Sequence, residues 1–138
     1  MNDSIQQKKQ VILVDDDKVE EIILRKYLEK SNVDIALRVF YSGEQFINYM
    51  QSIKTDQSAQ PNMVLLDIRM WGIDGFSVLK TLRDDPHFKS YPAISVFSNS
   101  QDPSDREKSL TLGANNYYCK PRNGDEYINF LHSLDAVI

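Results

Sequence analysis

Two rhythms of apolar and polar positions take turns along this chain. Residues 11–14 are a continuous apolar run that ends abruptly in Asp15, Asp16 and Asp17. Val19, Ile22, Ile23, Tyr27 and Leu28 then recur at three- and four-residue spacing, which predicts an amphipathic helix to about Ser31. Residues 34–40 predict a second strand, with Ile35, Leu37 and Val39 alternating against polar or small neighbours. Ser42 and Gly43 open a second helix whose buried stripe is Phe46, Ile47, Met50 and Ile53. Residues 54–62, KTDQSAQPN, have no periodicity and predict an exposed loop.

The second half repeats the scheme. Met63, Val64, Leu65 and Leu66 read as a strand buried on both faces, stopping at Asp67. After a loop with two glycines, Phe76, Val78, Leu79 and Leu82 mark a helix that Asp84, Asp85 and Pro86 end. Residues 93–97 predict a fourth strand closing on Ser98, Asn99 and Ser100. Asp102 followed by Pro103 is a strong helix start, and that helix stops at Gly113. Tyr117, Tyr118 and Cys119 form a short fifth strand ending at Lys120 and Pro121. Tyr127, Ile128, Phe130, Leu131 and Leu134 supply the last helix.

Strict alternation of five strands with five helices implies parallel strands, right-handed crossovers and helices on both faces. The predicted fold is therefore a doubly wound, flavodoxin-like α/β sandwich, with expected strand order 2-1-3-4-5. Parallel strands point their carboxyl ends the same way, so Asp15, Asp16, Asp67, Ser98 and Lys120 share one rim. In the order 2-1-3-4-5, strands one and three flank the switch point where a crevice opens.

Composition narrows the setting. The chain has 138 residues, enough for one domain, with 41% hydrophobic and 26% charged residues. A net charge of −4 argues against a nucleic-acid surface, and a single cysteine excludes an internal disulfide and fits a cytoplasmic home. Cys119 itself reads as a small buried strand residue. Residues 1–9 form a polar extension without the apolar core of a signal peptide, and no run approaches membrane-spanning length. The domain core is expected over about residues 10–136.

Three carboxylates at one crevice would repel strongly unless a cation joined them. Oxygen ligands without His or Cys select a hard divalent ion, and a site partly filled by water suits Mg²⁺. A carboxylate beside Mg²⁺ and a lysine is also a workable nucleophile toward phosphorus. Ser98 is placed to donate its hydroxyl to a phosphoryl group on Asp67.

At this point the segments VILVDDD, VLLDIRM with IDG downstream, VFSNS and YYCKP coincide with a known set. Over nearly its whole length the chain resembles a response regulator receiver domain. The resemblance implies that Asp67 is the phosphoacceptor, taking a phosphoryl group from a phosphohistidine on a sensor histidine kinase or phosphotransfer protein. It makes Asp15 and Asp16 metal ligands together with Asp67 and the main-chain carbonyl of Arg69. Ser98 becomes the switch hydroxyl, Tyr117 the aromatic switch, and the Lys120–Pro121 bond a cis peptide. It also implies signalling through the face of helix four, strand five and helix five, to a downstream protein target that the sequence does not identify.

Two departures stand out: Trp71, where the family often has proline, and Asn99, where a small residue usually follows the switch serine. Arg69 and Ser100 sit where the family tunes the lifetime of the acyl phosphate, so an altered lifetime is expected. The chain ends just after the fifth helix, so a stand-alone switch is expected, without an output domain, as a monomer or weak homodimer. It would be a signalling domain that catalyses only its own phosphorylation and dephosphorylation. Two alternatives remain. Asp15, Asp17 and Val19 form D-x-D-x-V, which resembles the nucleophile motif of haloacid dehalogenase-type phosphatases, with Asp15 attacking. The other is a pseudo-receiver that binds partners without phosphorylation.

Overall fold

The computed structural model describes residues 8–138, so most of the expected polar extension lies outside the described residues. The strands are β1 (Lys9–Val14), β2 (Ile35–Phe40), β3 (Met63–Leu66), β4 (Ile94–Ser98) and β5 (Asn116–Cys119). Between and after them run α1 (Lys18–Ser31), α2 (Gly43–Ser52), α3 (Gly75–Asp84), α4 (Pro103–Thr111) and α5 (Gly124–Val137). All pairings are parallel and the order is β2-β1-β3-β4-β5, as expected.

The continuous apolar runs are explained by what covers each face. Ile12, Val14, Val64, Leu66 and Val96 point to one side, where Phe46, Met50, Val78, Leu79 and Leu82 of α2 and α3 pack on them. Val11, Leu13, Met63, Leu65 and Phe97 point to the other, against Leu24 of α1 and Tyr127, Leu131 and Leu134 of α5. Because successive strand residues face opposite ways, both halves of each run are needed. Leu66→Ala would remove a fully buried side chain, at a cost of about 2–5 kcal/mol.

The helix starts follow local chemistry. Asp17, Ser42, Asp74, Asp102 and Asn123 each accept a backbone N–H of the first turn that follows. At Gly113, with φ of 109°, the chain turns out of α4 in a conformation that side chains with a Cβ resist.

Four expectations are corrected. In α1, Ile23, Tyr27 and Leu28 pack inward as expected, but Val19 and Ile22 are exposed at 58% and 66%, and Glu20, Leu24 and Ser31 are buried in their place. A buried acid at position 20 is invisible to a stripe read from apolar residues alone. Cys119 is exposed, because β5 is the sheet edge and its last residue emerges beyond its cover. The predicted loop 54–62 contains a short 3-10 turn, Gln57–Ala59, capped by Asp56, and Pro61 is buried. The Lys120–Pro121 peptide is trans, the isomer an X–Pro bond prefers unless packing opposes it; the cis bond is Tyr91–Pro92.

Candidate functional site

The site is built by extending the ladder one residue past each strand. The N–H of Asp15 donates to Phe40 O at 3.0 Å, that of Asp67 to Val14 O at 3.0 Å, and that of Lys120 to Ser98 O at 2.8 Å. Backbone order therefore continues to the point where the functional side chains leave the sheet, and they emerge side by side. Gly75 secures the back of the site: a Cβ there would lie 2.7 Å from Ile68 Cα and closer still to the Asp67 carbonyl. Only glycine lets α3 start this near to Asp67.

Asp15, Asp16 and Asp67 each bring a carboxylate oxygen within 4.8 Å of the others. Lys120 Nζ donates to Asp15 Oδ2 at 2.9 Å and to Asp67 Oδ2 at 3.5 Å. Asp15 is fully buried and its other oxygen accepts the Asp17 N–H at 2.9 Å. Asp16 faces outward and accepts the Trp71 N–H at 2.8 Å. Asp67 receives only a long bond, 3.4 Å, from the Arg69 N–H besides that from Lys120. Ser98, on the last residue of β4, accepts the Ser100 N–H at 3.1 Å. Asp16, Asp67, Arg69, Ser98, Ser100 and Lys120 are among the residues lining an open crevice of about 490 Å³.

The electrostatics are those of a loaded site. Burial raises the Asp67 carboxyl to about 6, with the Asp15 charge adding to it and Lys120 opposing it. For Lys120, burial alone would lower its value; the bond to Asp15 and the charges of Asp67, Asp15 and Glu20 more than offset that, and the ammonium is held above its ordinary range. Three oxygen donors without nitrogen or sulfur ligands suit a hard divalent cation, so the residues fit the metal that the sequence implies.

A second cluster adjoins the crevice. Arg69 Nη2 pairs with Asp105 Oδ2 of α4 at 3.0 Å, and Ser100 Oγ donates to the same carboxylate oxygen. Tyr117 is turned inward, 9% exposed, with its hydroxyl donating to Ser100 O at 2.7 Å. So Arg69, Ser100 and Tyr117, each singled out separately from the sequence, belong to one network. Its anchor, Asp105, was missed; the only signal was an acid in the first turn of α4. Glu20 was missed as well, although it lies in helical phase with Leu24 and Tyr27. His87 pairs with Asp85 and His132 donates to Ser31 O, both remote from the acid cluster.

Comparison with known proteins gives a consistent result. Residues 11–132 match the sequence model of the response regulator receiver domain. Response regulator Rcp1 of Synechocystis is 26% identical over 99% of this chain and 92% of its own length. The Mn²⁺-bound crystal structure of Rcp1 superposes with a TM-score of 0.75, covering 93% of this chain and 92% of the other. The phosphorylated cyanobacterial phytochrome response regulator RcpA is 25% identical, with a TM-score of 0.78 over 93% of this chain and 91% of that one. Heme response regulator HssR of Staphylococcus epidermidis is 30% identical over 80% of this chain, which spans 44% of that longer protein. Among the described residues no helix is long and apolar enough to cross a membrane.

Proposed function

Since the chain belongs to the response regulator receiver domain family of two-component systems, we propose that Asp67 accepts a phosphoryl group from a phosphohistidine of a sensor kinase or phosphotransfer protein. A carboxylate oxygen of Asp67 attacks phosphorus, the P–N bond breaks, and its electron pair returns to the imidazole of the donor. Asp15, Asp16, Asp67 and the main-chain carbonyl of Arg69 would hold Mg²⁺. When bound, that ion neutralises charge on the transferred phosphoryl oxygens. Lys120 supplies the second positive charge, and Ser98 donates its hydroxyl to the phosphoryl group once that group is present. Tyr117 carries the change to the face of α4, β5 and α5, through which a protein target is contacted. The domain turns over no external substrate beyond its own phosphorylation and dephosphorylation.

One observation carries this reading: three carboxylates converge within 4.8 Å, and the buried lysine bonds to two of them. Charge clusters of this kind in a crevice are usually functional. The D-x-D-x-V alternative gains no support, because its first acid, Asp15, is fully buried and pinned by Lys120, and its second, Asp17, is spent capping α1.

The test is intact-protein mass after incubation with acetyl phosphate, with and without Mg²⁺. The expected result is a labile phosphoryl adduct that requires Mg²⁺ and is absent from Asp67→Asn. An adduct that persists in that variant would move the nucleophile elsewhere, and no adduct would leave a binding module.

A further inference from the structure

Beside the acceptor site lies a buried carboxylate for which neither the fold nor the phosphoryl chemistry gives a reason. Glu20, in the first turn of α1, is 6% exposed and sits where the helix otherwise turns Leu24 to the core. The Tyr127 hydroxyl of α5 donates to both its oxygens, at 2.9 and 3.2 Å. Its Oε1 lies 3.8 Å from Lys120 Nζ, an ion pair too long to be a hydrogen bond. A leucine at this position would fill the same stripe without the penalty of burying a charge. Burial pushes the Glu20 carboxyl up, against the pull of Tyr127 and Lys120, and the nearby Asp15 and Asp17 charges push it further. Glu20 is thus a residue that the fold tolerates rather than needs.

Its use follows from competition for oxygens. The carboxylates that now hold the Lys120 ammonium, Asp15 and Asp67, are two of the three that fit a divalent cation. A cation joining them draws their charge away from Lys120 and repels the ammonium. The lysine side chain is only 6% exposed, so a carboxylate within reach is a stronger partner for it than the limited solvent at the crevice floor. Closing the gap to Glu20 from 3.8 Å to hydrogen-bond length takes a movement of about 1 Å, well within reach of a lysine tip.

Resting on the receiver reading above, we propose that Glu20 is a positioning residue for Lys120. It is a second carboxylate, anchored by Tyr127, that keeps the ammonium beside Asp67 when a divalent cation takes the oxygens of Asp15 and Asp67. The same pair ties that event to the α1–α5 contact, where Tyr27 and Tyr127 stack with centroids 5.4 Å apart.

The experiment compares the full native chain with Glu20→Gln and Tyr127→Phe. Trp71, the sole tryptophan, is 88% exposed, and its backbone N–H bonds Asp16, so its side chain lies on the loop that a cation at Asp16 would disturb and its fluorescence is the chosen probe of cation binding. Three quantities are read: melting temperature in chelator, Mg²⁺ affinity by Trp71 fluorescence, and labelling rate by acetyl phosphate at saturating Mg²⁺. Glu20→Gln is expected to melt at or above the native temperature in chelator, because a neutral amide still accepts from Tyr127 and removes repulsion with Asp15. Its Mg²⁺ dissociation constant is expected to rise at least about five-fold, as loss of one partly screened charge implies, and its labelling rate to fall by a similar factor.

Tyr127→Phe keeps the charge but drops its anchor, and is expected to show the smaller loss. Unchanged Mg²⁺ affinity and labelling in Glu20→Gln would overturn the proposal. So would a melting temperature well below native, which would make Glu20 a structural tie between α1 and α5, or a larger loss in Tyr127→Phe. Failure of the native chain itself to be labelled would instead sink the receiver reading.

Discussion

Asp67 is held in a conflict that its environment only partly resolves. It is 7% exposed, has one long bond from Lys120 and one from a backbone N–H, and faces the Asp15 charge. Its carboxyl rises from 3.8 to about 6. An acid whose folded value exceeds its unfolded one binds more protons when folded. Stability is therefore lost as pH rises from about 4 to about 6, and stays lower above that. Ionised Asp67 thus destabilises the metal-free fold at neutral pH relative to its protonated form. In chelator at pH 7, Asp67→Asn is expected to be more stable than the native chain, with a urea midpoint shifted upward, and the gap should close near pH 4. Equal midpoints at pH 7 would mean the acid is solvated better than its burial implies. This strain is the counterpart of reactivity: a carboxylate poorly satisfied by the protein is available to metal and phosphorus.

At the scale of elements, the loop after β3, the first turn of α4 and the end of β5 are joined through Arg69, Asp105, Ser100 and Tyr117. The Arg69 side chain is 71% exposed, so its ion pair adds little stability, on the order of 0.2–1 kcal/mol. Its position matters more, since it lines the crevice and links the loop after β3 to α4. Arg69→Ala is expected to open that side to water and shorten the lifetime of the phosphoryl adduct several-fold, followed by decay of the intact-mass adduct; an unchanged rate would remove Arg69 from the account.

By contrast, Arg83 of α3 is a structural clamp, donating to Gly113 O, Phe88 O, Pro92 O and Asn115 Oδ1 at 2.9–3.1 Å. Arg83→Ala strands those acceptors and is expected to cost about 2–4 kcal/mol in urea unfolding, without changing Mg²⁺ affinity. The strands, the caps Ser42 and Asp102 and the rim acids were legible in the sequence because each rests on local chemistry or on a run buried on both faces. Glu20 and Asp105 were not, since a buried acid breaks the rule by which helix phase is read, and its partners come from α5 and from the acceptor loop. Cys119 was misread for a related reason: no local pattern says that β5 ends the sheet.

Across the whole molecule, the two cores divide the labour. The α2–α3 side holds the backbone behind Asp67 through Gly75, and the α1–α5 side holds Glu20 and Tyr127 behind Lys120. Asp67 and Lys120 are thus supported from opposite faces and meet only at the rim. At the chain end, Leu134 and Ile138 pack inward while Val137 is 68% exposed, so that stripe serves mainly the core.

The claim on which everything else depends is the identity of the nucleophile. The most direct measurement is borohydride reduction of the chain after treatment with acetyl phosphate and Mg²⁺, followed by peptide mapping. An acyl phosphate is reduced to the alcohol, which marks the residue that carried it. Homoserine is expected at position 67 and nowhere else; homoserine at position 15, or none in a chain that consumes the donor, would contradict Asp67 as the nucleophile.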